Sequence, residues 1–174
     1  TQTGGGLQQV ERQPAFFSIF ERDPVSNSSG FTNAPNQTSR IGIRVRGAFS
    51  STWTPKPYSV ETWKTDTNED RAIKILGMAL ESDWILYYPH PSYDRTMIYN
   101  TFIWELSRQT GRWAPEFRFV DLFVNENGGD LSMANRRGVY VFLEKTKQDN
   151  KRLKFDELSE DGSTGGWINS INRM

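Results

Sequence analysis

The 174-residue sequence has no cysteine and a single histidine, His90. The first absence rules out disulfides and thiolate metal sites. The second argues against a histidine metal centre or a Ser-His-Asp triad. Neither fixes a compartment. Net charge is also lacking: 21 basic residues balance 21 acidic ones. A broad positive footprint for a nucleic acid polymer or an acidic membrane is therefore not expected, although a local basic site is compatible with the balance. No apolar run approaches the ~18 residues of a membrane span, and no signal peptide is visible. The chain opens on Thr1 rather than Met and reads as part of a longer protein. What is abundant is aromatic: 13 % of residues, six of them tryptophan. Disordered chains are poor in aromatics, so a folded domain with a real core is expected.

Along the chain, residues 1–13, with "TQTGGG", read as a flexible tail, leaving 14–174 as the domain. "PAFFSIFE" (14–21) suits a strand. Residues 22–39, dense in Pro, Asn, Ser and Gly, suit a long loop. Asn27 and Asn36 in that loop each begin a glycosylation-type triplet, a pattern common by chance. "RIGIRVRG" (40–47) alternates cleanly: Ile41, Ile43 and Val45 share one side, Arg44 and Arg46 the other. A turn over 47–55 leads to a second strand, "KPYSVETW" (56–63). "AIKILGM" (72–78) is a short apolar segment, and "DWILYYP" (83–89) a buried strand. A helix is expected over Arg95–Thr110. Asp94 would cap it, Ile98, Phe102 and Leu106 would form its apolar stripe with Met97 and Ile103 broadening it, and Gly111 would stop it. Strands over 117–125 and 137–145 form a hairpin. Residues 146–161 suit a short helix, and "GGWINSINRM" (165–174) one more strand. The expected class is α+β: a mostly antiparallel sheet with one main helix packed on it.

The chemistry-bearing candidates each have two readings. Arg46, Gly47, Ser50 and Ser51 describe a turn whose amides and hydroxyls face phosphate, or an ordinary hairpin. Lys56, opening the second strand, reaches those phosphates or is simply solvated. Asn100 contacts a neighbouring lobe or lies on the helix's outer face. Glu144 and Lys145 end the last strong strand: Glu144 holds a basic residue such as Lys56 by an ion pair, or both are strand-end charges in water. Trp84, Tyr87, Tyr88 and Tyr93 offer stacking faces or fill a core. Trp53, Trp63 and Trp113 raise a weaker carbohydrate-binding option.

This order of elements is also that of a protein-kinase N-lobe, yet G-x-G-x-x-G, V-A-I-K, H-R-D and D-F-G are all missing. The sequence instead resembles the spore-coat-protein-H (CotH) kinase family. The resemblance is carried by "RIGIRVRGAFSS" with "KPYSVE", by "LGMALESDWILYYPHPSYDRTMIYNTFIWELSRQTGRWAPEFRFVDLFVN", by "RGVYVFLEKTKQDNKRL" and by "GGWINSINRM". It implies a kinase-like N-lobe fold and ATP-dependent phosphoryl transfer, with a divalent metal such as Mg, to Ser or Thr of a protein substrate. It implies Arg46, Gly47, Ser50, Ser51, Lys56, Asn100 and Glu144 as the nucleotide- and phosphate-binding set. It also implies that catalytic and metal-binding residues lie in a C-lobe downstream of residue 174, and that the protein is bacterial, secreted or on the cell surface. Two departures stand out: Tyr99 occupies the place of a family Arg before Asn100, and Phe49 lies in the turn. A non-catalytic adhesion or surface module on the same scaffold is the alternative.

Overall fold

The computed structural model describes residues 11–31, 33–149, 152–154, 156 and 159–165. Six strands and one helix follow in the order β1 (Gln13–Ile19), β2 (Gln37–Val45), β3 (Tyr58–Thr62), β4 (Asp83–Tyr87), α1 (Tyr99–Gln109), β5 (Phe117–Phe123) and β6 (Arg136–Glu144). They form one sheet of order β1-β2-β3-β4-β6-β5, in which every neighbouring pair is antiparallel. The expected α+β architecture, mostly antiparallel with one helix, is what forms.

Alternation in β2 sets the inner face. Ile41, Ile43 and Val45 point inward, and the register continues them with Tyr58 and Val60 of β3, Trp84 and Leu86 of β4, and Tyr140 and Phe142 of β6. Residues of the two edge strands, Phe17 and Ile19 on β1 and Val120 and Leu122 on β5, pack against the same cluster. A flat sheet cannot bring both edges to one core, so this sheet curls around it. Phe31, from the loop after β1, closes the gap by meeting Phe20 at 6.0 Å and Phe123 at 4.5 Å, both edge to face.

Several local expectations are sharpened or corrected. The short apolar segment 72–78 forms a turn that fills the core. Leu76 (φ 50°) and Gly77 (φ 74°) turn it back, so that Ile75 and Met78 plug the core completely buried. β1 takes in Gln13, and Arg12 reaches Ser59 and Glu61, so the sheet begins before residue 14. β3 begins at Tyr58, which leaves Lys56 in the turn. No helix lies in 146–161 among the described residues. A bridge between Gln148 and Leu153 stands there instead. The expected strand over 165–174 falls, beyond Gly165, outside the described residues.

Helix α1 starts at Tyr99 rather than Arg95, because Met97 takes a left-handed φ of 61°. Asp94 still caps it, from a distance: its Oδ2 accepts the Tyr99 N–H at 3.0 Å. Gly111, at φ 78°, ends the helix as expected. The buried face is the main surprise. Thr101, Trp104 and Arg108 face the sheet. Trp104 lies against Tyr87 and Phe117, while Arg108 covers the Phe117 ring at 5.2 Å. The expected stripe of Ile98, Phe102 and Leu106 faces outward, with Phe102 61 % exposed. One large aromatic and an arginine stem form the helix–sheet contact, and the more apolar stripe has no counterpart among the described residues. No helix among those residues is long and apolar enough to cross a membrane.

Candidate functional site: a cleft on the outer face of the sheet

The outward residues of the central strands line up in register as Arg44, Ser59, Ile85, Leu143 and Phe117. Two cavities open on this face and share Arg46 and Ile85. The larger, about 470 Å³, lies between the sheet and α1, with walls that include Tyr87, Trp104, Trp113, Pro115 and Leu143. The smaller, about 340 Å³, is lined by Arg44, Val45, Arg46, Gly47, Ser59, Ile85 and Lys145. One half of the cleft is thus aromatic and apolar, the other basic.

The sequence candidates divide over this geometry. Arg46 stands at the junction of the halves. The residue as a whole is exposed to solvent; partial burial of its guanidinium against the cleft wall lowers its pKa from the ordinary arginine value. Gly47 enters the basic half, and Asn100 the apolar half, where its amide donates to the Tyr87 hydroxyl at 3.0 Å. Burial raises the Tyr87 phenol pKa, the Asn100 hydrogen bond opposes the shift, and the Asp94 charge adds to it.

Ser50, Ser51 and Lys56 line neither cavity. They hold the turn together. Ser51 Oγ donates to Ala48 O at 2.6 Å, and Lys56 Nζ to Ser51 O at 2.9 Å. Tyr140 anchors the far end of the turn by donating its hydroxyl to Lys56 O at 2.8 Å. Gly47, at φ 93°, starts this arrangement. A Cβ there would meet Ser50 Oγ at 2.0 Å, so no other residue fits.

Glu144 is on the inner side of β6, 2 % exposed, and its partner is not Lys56. Its Oε1 accepts the Glu116 N–H at 3.0 Å, and its Oε2 the Arg152 Nε–H at 2.7 Å. Arg152 also pairs with Glu81 at 2.9 Å, and Lys147 bridges Glu81 and Asp83 at 2.6 and 3.1 Å. The strand-end glutamate therefore belongs to a mostly buried ionic network that holds Lys147 and Arg152 against the start of β4.

Among the aromatic candidates, Trp84 and Trp63 are buried in the fold, and Tyr88 packs on the inner core. None of the three is open to a ligand. Tyr93 belongs to a surface group with Phe49, Trp53 and His90; Trp53 lies 4.7 Å from His90 and 5.8 Å from Tyr93. Only Tyr87 of the four stacking candidates reaches the cleft, joined there by Trp104 and Trp113. Trp104 is not among the sequence candidates; the sequence reads Arg44 as an outward strand residue beside Arg46, and Lys145 as a strand-end charge beside Glu144. For Arg44 the signal was present in the β2 alternation that also gives Arg46. Lys145 and Trp104 depend on pairings distant in sequence.

The curled antiparallel sheet with one helix on its outer face makes an α+β domain whose outer face carries an aromatic, apolar cavity next to a basic one. The chain matches the family model described as CotH kinase protein over residues 43–165, and it belongs to that family. The matched region contains every residue of the cleft. No curated protein sequence matches the chain.

Proposed function

We propose that the cleft binds a nucleoside triphosphate and that the chain supplies the nucleotide-binding, N-lobe-like part of an atypical protein kinase. The carrying observation is the continuity of the two cavities at Arg46. A base fits between Trp104, Trp113 and Tyr87, while phosphates extend past Arg46 toward Arg44 and Lys145. Phosphoryl transfer is mostly positioning and charge neutralisation, and these residues offer both. Family membership supports ATP as donor and Ser or Thr of a protein as acceptor. The order of strands around a single helix is in keeping with an N-lobe.

The described residues do not fit a divalent metal. No three histidine or acidic side chains converge, and Glu81, Asp83 and Glu144 are each tied to arginine or lysine. No metal-dependent step is therefore assigned to them. In this reading the acidic machinery belongs to a second lobe, and the family resemblance favours a secreted or surface location.

The test is ATP titration followed by intrinsic tryptophan fluorescence, since Trp104 and Trp113 wall the cavity. Saturable quenching is expected, weakened at least about tenfold in Arg46→Ala, because a desolvated charge-assisted contact is lost. No ATP-dependent change in fluorescence or melting temperature would sink the reading. A non-catalytic binding module is the second reading, and the outward stripe on α1 favours it. ATP binding without transfer of labelled γ-phosphate to any protein substrate would select it.

A further inference from the structure

Resting on the nucleotide reading of the cleft, we propose that Lys145, and not Lys56, is the lysine that grips the ligand's phosphates. Lys56 precedes β3, lines neither cavity, and spends a hydrogen bond on the carbonyl of Ser51 within its own turn. Lys145 follows β6 directly and lines the basic half of the cleft beside Arg44, Arg46 and Gly47.

Its position is fixed from two sides. The Lys145 N–H donates to Asp83 O at 3.0 Å, extending the β4–β6 pairing by one residue. Its Nζ lies 3.5 Å from Asp83 Oδ1. That carboxylate is already shared, with Lys147 at 3.1 Å and Arg12 at 3.8 Å. Asp83 therefore orients the ammonium without saturating it. With its side chain 48 % exposed, Lys145 has room to turn toward a ligand. A carboxylate that aims a lysine into a basic pocket is an arrangement suited to a polyphosphate, whose charge exceeds what one arginine can neutralise.

Two residues on, Lys147 binds Glu81 and Asp83, which keeps the chain just after Lys145 against the start of β4.

Isothermal titration of the full chain with ATP and with inorganic tripolyphosphate, at fixed ionic strength, decides the matter. Lys145→Gln should weaken both ligands about tenfold or more, as expected for loss of one charge-assisted contact. Lys56→Gln should change either by less than about twofold, the scale of a solvated surface charge. Near-UV circular dichroism of both variants checks the fold. If wild type binds ATP and Lys145→Gln binds it equally well, the assignment fails while the nucleotide reading stands. Loss in Lys56→Gln alone likewise overturns it in favour of the turn lysine. If wild type binds neither ligand, both the assignment and the nucleotide reading fall. Tripolyphosphate affinity without any gain from adenosine supports Lys145 but removes the base from the apolar half.

Discussion

The two faces of one sheet obey different rules here. On the inner face, Ile43, Val60 and Trp84 follow one another across three strands, all nearly or fully buried. On the outer face, one residue along, Arg44, Ser59, Ile85 and Leu143 form a row whose charge falls and whose apolar character rises toward α1. The inner row is specified by burial alone. The outer row begins with the half-buried Arg44 and Ser59 and ends in Ile85 and Leu143, which are buried with Val141 in a second, smaller cluster against Trp104 and Phe117. Positions that alternate along the same strands thus build a large core on the inner face and a smaller one, bordered by charge, on the outer.

The comparison breaks most severely on the inner face. Trp84→Ala should destabilise the protein by about 3–5 kcal/mol, since it empties a fully buried position stacked on Phe142 at a ring distance of 5.1 Å. Gly42→Ala, on the outer face of β2, follows in size. A Cβ there would meet the Trp63 ring at 2.0 Å, and Trp63 is itself held by Arg40 over its face and by Glu61 at its indole nitrogen. A loss of about 1–3 kcal/mol is expected from overpacking. Urea melts with unchanged slopes would check both.

Next in size is the ionic junction between the faces. Arg152→Ala leaves Glu144 buried without its counter-ion and Glu81 with Lys147 alone, and should cost about 3 kcal/mol or more. Arg152→Met, paired with Glu81→Gln and Glu144→Gln, should recover much of that loss, because the uncompensated charges are gone. If the triple variant is no better than Arg152→Ala, the charged network contributes net stability that a neutral, stem-filling replacement does not restore.

The same junction gives the pH dependence. Burial works to raise the Asp83 pKa, but the hydrogen bond from Lys147 and the charges of Lys145 and Lys147 outweigh it, leaving the carboxyl below its ordinary value. A depressed folded-state pKa adds stability above the unfolded carboxylate pKa and loses it as pH falls through the folded value. Lys147 is shifted the other way: burial opposes, but hydrogen bonds to Glu81 and Asp83 raise its pKa. Its contribution is complete below the unfolded lysine pKa and lost as pH climbs through the folded one. The melting temperature should therefore be level from mildly acid to mildly alkaline pH and fall on both sides. Asp83→Asn should flatten the acid limb in particular; an unchanged acid limb in that variant would remove Asp83 from the account.

How far the sequence revealed this arrangement depends on the range of the interaction. Alternation in β2 gave the inward Ile41, Ile43 and Val45 and the outward Arg44 and Arg46, because strand period is local. Asp94 and Gly111 were legible as helix punctuation for the same reason. Glu144 was not legible. Its role depends on Arg152 and Glu81, and Glu81 lies 63 positions earlier in the chain, brought close only when β4 pairs with β6. Lys56, a basic residue after a Gly-Ser turn, reads in the sequence as a phosphate contact, and only the folded turn shows its ammonium donating to the turn's own Ser51 carbonyl.

The helix is where periodicity and burial part company. Spacing selected Ile98, Phe102 and Leu106 as the packed stripe, but the sheet receives the opposite side, through Thr101, Trp104 and Arg108. A hydrophobic stripe states that a helix has a face to bury; it does not say against which neighbour. Phe102→Ser removes an apolar side chain that is mostly in water, so it should change the stability of the chain by no more than about 0.5 kcal/mol. Trp104→Ser should cost several times that, since it detaches the helix from Tyr87 and Phe117 and opens the apolar half of the cleft. Parallel urea melts of the two variants would read the orientation of α1 directly. Equal losses, or a larger one for Phe102→Ser, would mean that the helix presents its apolar stripe to the sheet after all.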